Sequence, residues 1–90
     1  MSPITEKLAE MLEFPCNYPL KVMGITDPTL ESEVIRVLQS IIPNDYHTST
    51  KPSKAGKYTS VSVNLRLENK EQLEAVYSQL NQHPLVKIIL

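Results

Sequence analysis

Ninety residues suffice for one domain and are too few for two, and a chain of this size buries only about 60–65% of its unfolded surface, enough for one thin core. A hydrophobic fraction of 41% argues against disorder. Nine basic residues against ten acidic ones, a net charge of −1, lack the basic excess with which dedicated nucleic-acid binders displace counterions from phosphates, so nucleic acid is not the expected partner.

Ile4, Leu8, Met11 and Leu12 fall at i, i+4, i+7 and i+8, with Glu6, Lys7, Glu10 and Glu13 mostly between them. This is one apolar stripe on a short N-terminal helical extension, residues 1–14, ended by Pro15 and Pro19. Residues 18–25 read as the first strand, with Leu20, Val22 and Gly24 on one side and Lys21 and Met23 on the other. Gly24 suggests close approach by another backbone. Asp27 and Pro28 suit the N-cap and first position of a helix, and Leu30, Val34, Val37, Leu38 and Ile41 recur at helical spacing before Pro43 stops it.

Residues 45–51, rich in Thr and Ser, suit a polar edge strand. Residues 52–56 make a turn by composition. Over residues 58–68, Val61, Val63, Leu65 and Leu67 alternate with Ser60, Ser62, Asn64, Arg66 and Glu68, which requires one buried face and one wet face. Asn69 and Gln72 have the spacing of a capping box, and Leu73, Val76, Tyr77 and Leu80 form the next helical stripe. Pro84 bars its continuation, and residues 85–90 read as a terminal strand.

Two helices with single apolar stripes must cover one face of the sheet. Right-handed crossovers then favour an α+β, ferredoxin-like βαββαβ sandwich with antiparallel strand order 4-1-3-2, a single domain over residues 1–90. On the other face Lys21, Met23, Ser60, Ser62, Asn64, Arg66 and Lys87 are expected to point away from the helices. That open face is either a partner surface or the seat of the N-terminal stripe.

Catalytic constellations are absent. Two glycines, Gly24 and Gly56, cannot build a phosphate-cradling loop. His47 and His83 lie far apart and read as surface side chains, and Cys16 has no nearby partner, so neither a metal centre nor a cofactor is expected. A Cys16–His47 pair would have no orienting third group. The lone cysteine also rules out an internal disulfide, which suits a reducing compartment. No secretory signal or spanning segment is visible, so a cytoplasmic protein without a membrane partner is expected. Lys51, Lys54 and Lys57 bracket a turn that also offers Ser53 and the amides near Gly56, a candidate seat for an anionic group or an acidic partner. The alternative is a soluble hairpin tip that discourages edge pairing. Sheet-face RNA binding would call for stacking aromatics, and only Tyr58 is near such a position. Val86, Ile88, Ile89 and Leu90 form an apolar edge through which a homodimer could assemble.

The run Leu12-Glu13-Phe14-Pro15, then Lys21-Val22-Met23-Gly24, then Lys51-Pro52-Ser53 with Gly56, Tyr58 and Ser60-Val61-Ser62 resembles the YbeD-like family of small bacterial proteins over nearly the whole chain. The resemblance implies a ferredoxin-like fold similar to ACT-type regulatory domains, which bind amino acids, and it carries over no catalytic residue. By that analogy a ligand turn falls at residues 24–28. The expected function is a non-enzymatic regulatory or interaction module that binds a protein partner or a small anionic metabolite through Lys21, Lys51, Ser53, Lys54, Lys57, Tyr58, Ser60, Ser62 and Arg66. ACT-like amino-acid binding at a dimer interface and weak RNA binding are the alternatives.

Overall fold

Val61, Val63, Leu65 and Leu67 are all buried, while Asn64 and Arg66 between them are exposed. The period-two pattern of this strand therefore divides the molecule into a packed side and an open side. The computed structural model describes residues 12–90. Its elements run β1 (Cys16–Ile25), α1 (Leu30–Ile41), β2 (Thr48–Pro52), β3 (Tyr58–Leu67), α2 (Lys70–Gln82) and β4 (Val86–Ile89). The sheet order is β2-β3-β1-β4 and every neighbouring pair is antiparallel. This is the expected order read from the opposite edge, with the element sequence of a ferredoxin-like βαββαβ sandwich.

One apolar cluster holds the layers together. Leu20 and Val22 of β1 and the four apolar residues of β3 meet Leu30, Val34, Val37 and Leu38 of α1 and Leu73, Val76, Tyr77 and Leu80 of α2. The Tyr77 hydroxyl lies 2.8 Å from that of Tyr18, so the phenol carried into this layer keeps a polar partner. Burial first, and then this hydrogen bond, push the Tyr77 phenol well above its ordinary range.

Local chemistry sets the element ends. Asp27 Oδ1 accepts from the Thr29 N–H (2.8 Å) and the Thr29 hydroxyl (2.6 Å). These bonds, the hydroxyl's first, hold the Asp27 carboxyl below its ordinary value. The regular helix begins only at Leu30, because the first turn closes as a tight Leu30 N–H to Asp27 carbonyl bond. Asn69 Oδ1 accepts from the Gln72 N–H (3.0 Å), as its spacing predicts. Gln72 returns its own bond to the Glu68 N–H (2.7 Å), one residue upstream of the partner a capping box would use.

Three expectations need correction. The edge strand occupies Thr48–Pro52 and not residues 45–51, because Pro52 lies on the sheet rim, where a missing N–H costs no ladder bond. Of the N-terminal helical extension, residues 1–11 lie outside the described residues, and residues 12–14 are not helical, consistent with Pro15 disfavouring helical backbone at Phe14. Leu12, the last residue of the stripe, and Phe14 both pack against the core cluster. Lastly, β4 carries a bulge: Met23 pairs with Ile88 and Gly24 with Val86. Lys87 is the extra residue, and Ile88 takes the open-face position expected of Lys87.

At the far end of the helical layer, Arg36 Nε donates to Glu33 Oε2 (2.9 Å), and His83 Nε2 lies 3.2 Å from Glu33 Oε1. His83 Nδ1 accepts from the Leu85 N–H (3.1 Å), so Nε2 carries the proton and donates to Glu33. The Arg36 hydrogen bond first, and the His83 hydrogen bond second, hold the Glu33 carboxyl below its ordinary value of 4.5. A carboxyl depressed in the folded state stabilises the fold above its unfolded value, and that contribution disappears as pH falls through the folded value. Glu33→Gln is therefore expected to lose less melting temperature than the native protein between about pH 6 and about pH 3. Equal acid slopes in scanning calorimetry would reject this account.

Candidate open-face site

The strand registers set out the open face row by row. Tyr58 pairs with Ile25. Ser60 lies between Lys51 and Met23, and Met23 in turn pairs with Ile88. Ser62 lies between Ser49 and Lys21, and Asn64 pairs with Pro19. Paired residues share a face in antiparallel sheets, so these side chains form one surface opposite the helices. Down its centre run Ser60, Ser62 and Asn64, all small, with the long side chains of Lys51, Lys21 and Met23 on either side. Short residues between tall ones leave a trough.

The trough has two sections that share Lys21. The larger, about 460 Å³, is lined by Lys21, His47, Ser49, Ser62 and Asn64 together with Pro19 and neighbouring strand atoms. The smaller, about 210 Å³, lies towards the hairpin among Met23, Lys51, Ser53, Tyr58 and Ser60. Lys21 and Lys51 form no ion pair among the described residues. Tyr58 and Ile88, 40% and 50% exposed, add apolar area at the hairpin end of the same face.

Charge is sorted between the layers. Each strand carries one basic residue and no acidic one: Lys21, Lys51, Arg66 and Lys87. The helices hold Glu31, Glu33, Glu71 and Glu74 against Arg36 and Lys70. A net charge of −1 thus conceals a molecule with a basic sheet and an acidic helical layer. Such a distribution produces a local field that the total does not reveal.

The nine candidate residues are only partly brought together. Lys21, Lys51, Ser53, Tyr58, Ser60 and Ser62 share the trough. Ser60 is buried, and its hydroxyl donates to the Lys51 carbonyl (3.2 Å), which shapes the floor but leaves that proton unavailable to a ligand. Arg66 shares the face but stands six residues beyond Ser60 along β3, roughly 20 Å away, with Nη1 3.5 Å from Asn17 Oδ1 and Nε 3.9 Å from Glu68. The hairpin is not an open amide cradle. Ser53 Oγ accepts from the Tyr58 N–H (3.3 Å), and the Gly56 N–H donates to the Ser53 carbonyl (3.0 Å). Lys54 and Lys57 are exposed beside this closed turn and extend the basic surface beyond the trough.

The polar residues of the trough that escaped the sequence reading are His47 and Ser49. The signal was available: counting back by twos from Lys51 gives Ser49 and then His47 on the same side. Cys16 pairs with Leu67 and packs on the core side, so the sheet separates it from His47. At the analogous amino-acid turn, a Cβ on Gly24 would stand 2.5 Å from the Leu85 carbonyl oxygen and 2.6 Å from Leu30 Cδ1. The space a ligand would need at Gly24 is already filled. At the β4 edge, Lys87 and the bulge are features that blunt strand pairing. Among the described residues, no group of three or more His, Cys, Asp or Glu side chains converges, and no helix is long and apolar enough to cross a membrane.

Residues 9–90 match the family described as "Protein of unknown function (DUF493)". A UPF0250 protein of Photorhabdus laumondii is 43% identical over 84 residues, covering 93% of this chain and 97% of the relative. A UPF0250 protein of Neisseria gonorrhoeae is 40% identical over 87 residues, covering 94% and 96%. A third, from Vibrio vulnificus, is 42% identical over 84 residues, covering 93% and 91%. The resemblance to the YbeD-like family is thereby confirmed, and the chain belongs to the DUF493 (UPF0250, YbeD-like) family of bacterial proteins.

Proposed function

We propose that this protein is a non-enzymatic interaction module of the bacterial cytoplasm that receives an acidic protein segment across the open face of its sheet. The observation that supports this reading is the charge sorting: one base and no acid on each of the four strands. Lys21 and Lys51 would meet carboxylates, and Tyr58, Met23 and Ile88 would take an apolar side chain of the same segment. Long-range attraction sets the encounter rate and the salt dependence, while buried apolar area adds net affinity. The face offers His47 neither a carboxylate to orient it nor a thiol to activate, which favours binding over chemistry.

The test is a titration of isotope-labelled protein with a synthetic peptide of alternating glutamates and leucines at low salt, followed by amide chemical shifts. Shifts are expected along β1, β2 and β3, weakening steeply with added salt. The double variant Lys21→Glu, Lys51→Glu should bind the peptide at least about tenfold more weakly, the equivalent of one lost charge-assisted contact. Shifts confined to α1 and α2, or equal binding by the double variant, would overturn the reading.

A further inference from the structure

We infer that the larger section of the trough is a discrete seat for a single oxyanion group, a carboxylate or a phosphate, held between Lys21 and His47 over a floor of Ser49, Ser62 and Asn64. The inference rests on the open face being the working surface, and it assigns to one place on that face a ligand chemistry that charge sorting alone does not specify.

The row Ser49–Ser62–Lys21 spans three adjacent strands, so Lys21 and Ser49 stand two strand spacings apart, roughly 10 Å between backbones. The Lys21 ammonium can reach back over Ser62 from the β1 side, and His47 lines the same hollow from the β2 side. No acidic side chain lines this section, so nothing on its walls repels a negative charge. Ser60 is committed to the Lys51 carbonyl. The hydroxyls of Ser49 and Ser62 and the Asn64 amide, by contrast, make no side-chain hydrogen bond to protein among the described residues. An ammonium, an imidazole, two hydroxyls and a carboxamide form a donor set matched to an oxyanion with several lone pairs. The second section, towards Met23 and Tyr58, begins at Lys21. A ligand anchored by its oxyanion can therefore lay an apolar remainder in that direction.

The experiment titrates inorganic phosphate and, separately, succinate into isotope-labelled protein at constant ionic strength, with the acidic peptide as a third arm. A seat of this kind predicts saturable shifts centred on Ser49, Ser62 and Asn64 with at least one of the two small anions, and the stronger of the two names the oxyanion class. Lys21→Met should weaken that binding about tenfold or more. Lys70→Met, on the helical layer, should leave it unchanged. Linear, unsaturable shifts, shifts centred on Lys54 and Lys57, or equal weakening by both variants would overturn the seat. Peptide shifts on β1, β2 and β3 in that case would leave the interaction-module reading standing. A saturable anion seat with no peptide binding would do the reverse.

Discussion

Gly24→Ala is expected to destabilise the fold by about 3 kcal/mol, at the upper end of ordinary overpacking because one of the two clashing partners is backbone. For a domain of this size that corresponds to a fall in melting temperature of about 12–24 °C. The added Cβ would lie 2.5 Å from the Leu85 carbonyl oxygen and 2.6 Å from Leu30 Cδ1. Leu30 opens α1 and is 2% exposed, so its side chain has little room to turn away. The Leu85 carbonyl accepts the Ile25 N–H (2.8 Å), and moving it would pull the entry to β4 off the sheet. Gly56→Ala makes the contrast. Gly56 has a positive φ of 74° and nothing within 4 Å of an added Cβ, so its cost is the backbone term alone, about 1–2 kcal/mol. Thermal denaturation of the two variants separates close approach from backbone conformation. A Gly24→Ala protein that melts within about 2 °C of the native one would show that β4 can withdraw freely.

The same glycine illustrates what could be read from the chain. Its place in a strand pattern pointed to a close neighbour, but which backbone approached depended on the β4 register. That register could not be read, because residues 85–90 are nearly all apolar and alternation has nothing to count there. The bulge at Lys87 followed from this, and with it the exchange of Lys87 for Ile88 on the open face. In β3, by contrast, Val61, Val63, Leu65 and Leu67 against Ser60, Ser62, Asn64 and Arg66 left a single solution. Two amphipathic helices and one such strand were enough to give the layers and the strand order.

The site was legible to the extent that it is made of strand parity. Lys21, Ser60 and Ser62 were assigned to the open face from alternation alone. Ser49 in β2 and His47 just before it follow the same rule, but without an apolar residue in that strand the parity has no anchor until Lys51 is paired with Ser60. What a linear reading missed entirely is hydrogen-bond commitment. Ser60 and the Gly56 amide resemble free donors, and Ser53 Oγ a free acceptor, until the hairpin closes on them. The lysines of the turn drew attention as a cluster in sequence, whereas the charge that shapes the face is spread one residue to a strand.

Parity also supplies the sharpest test, because the same substitution one residue apart must give opposite results. Val61→Asp places a carboxylate at a position with 0% exposure, between Val22 and Thr50. The described core has no cation to pair with it, so the group must either neutralise or unfold the chain, at a cost of several kcal/mol. Against a total stability of about 5–15 kcal/mol, a loss of about 4 kcal/mol or more lowers melting by at least about 15 °C or abolishes cooperative folding. Ser62→Asp adds the same group on the open side, beside Lys21, where solvent and an ammonium accept it; its stability should stay within about 1 kcal/mol of the native protein. Its binding should suffer instead, because a fixed carboxylate then occupies the floor of the trough and repels any anion approaching Lys21 and His47. Melting curves for both variants, with the phosphate, succinate and peptide titrations repeated on Ser62→Asp, read the two effects separately. A stable Val61→Asp protein, or a Ser62→Asp protein that unfolds as readily, would mean that the side of β3 facing the helices has been assigned the wrong way round, and the basic trough would go with it.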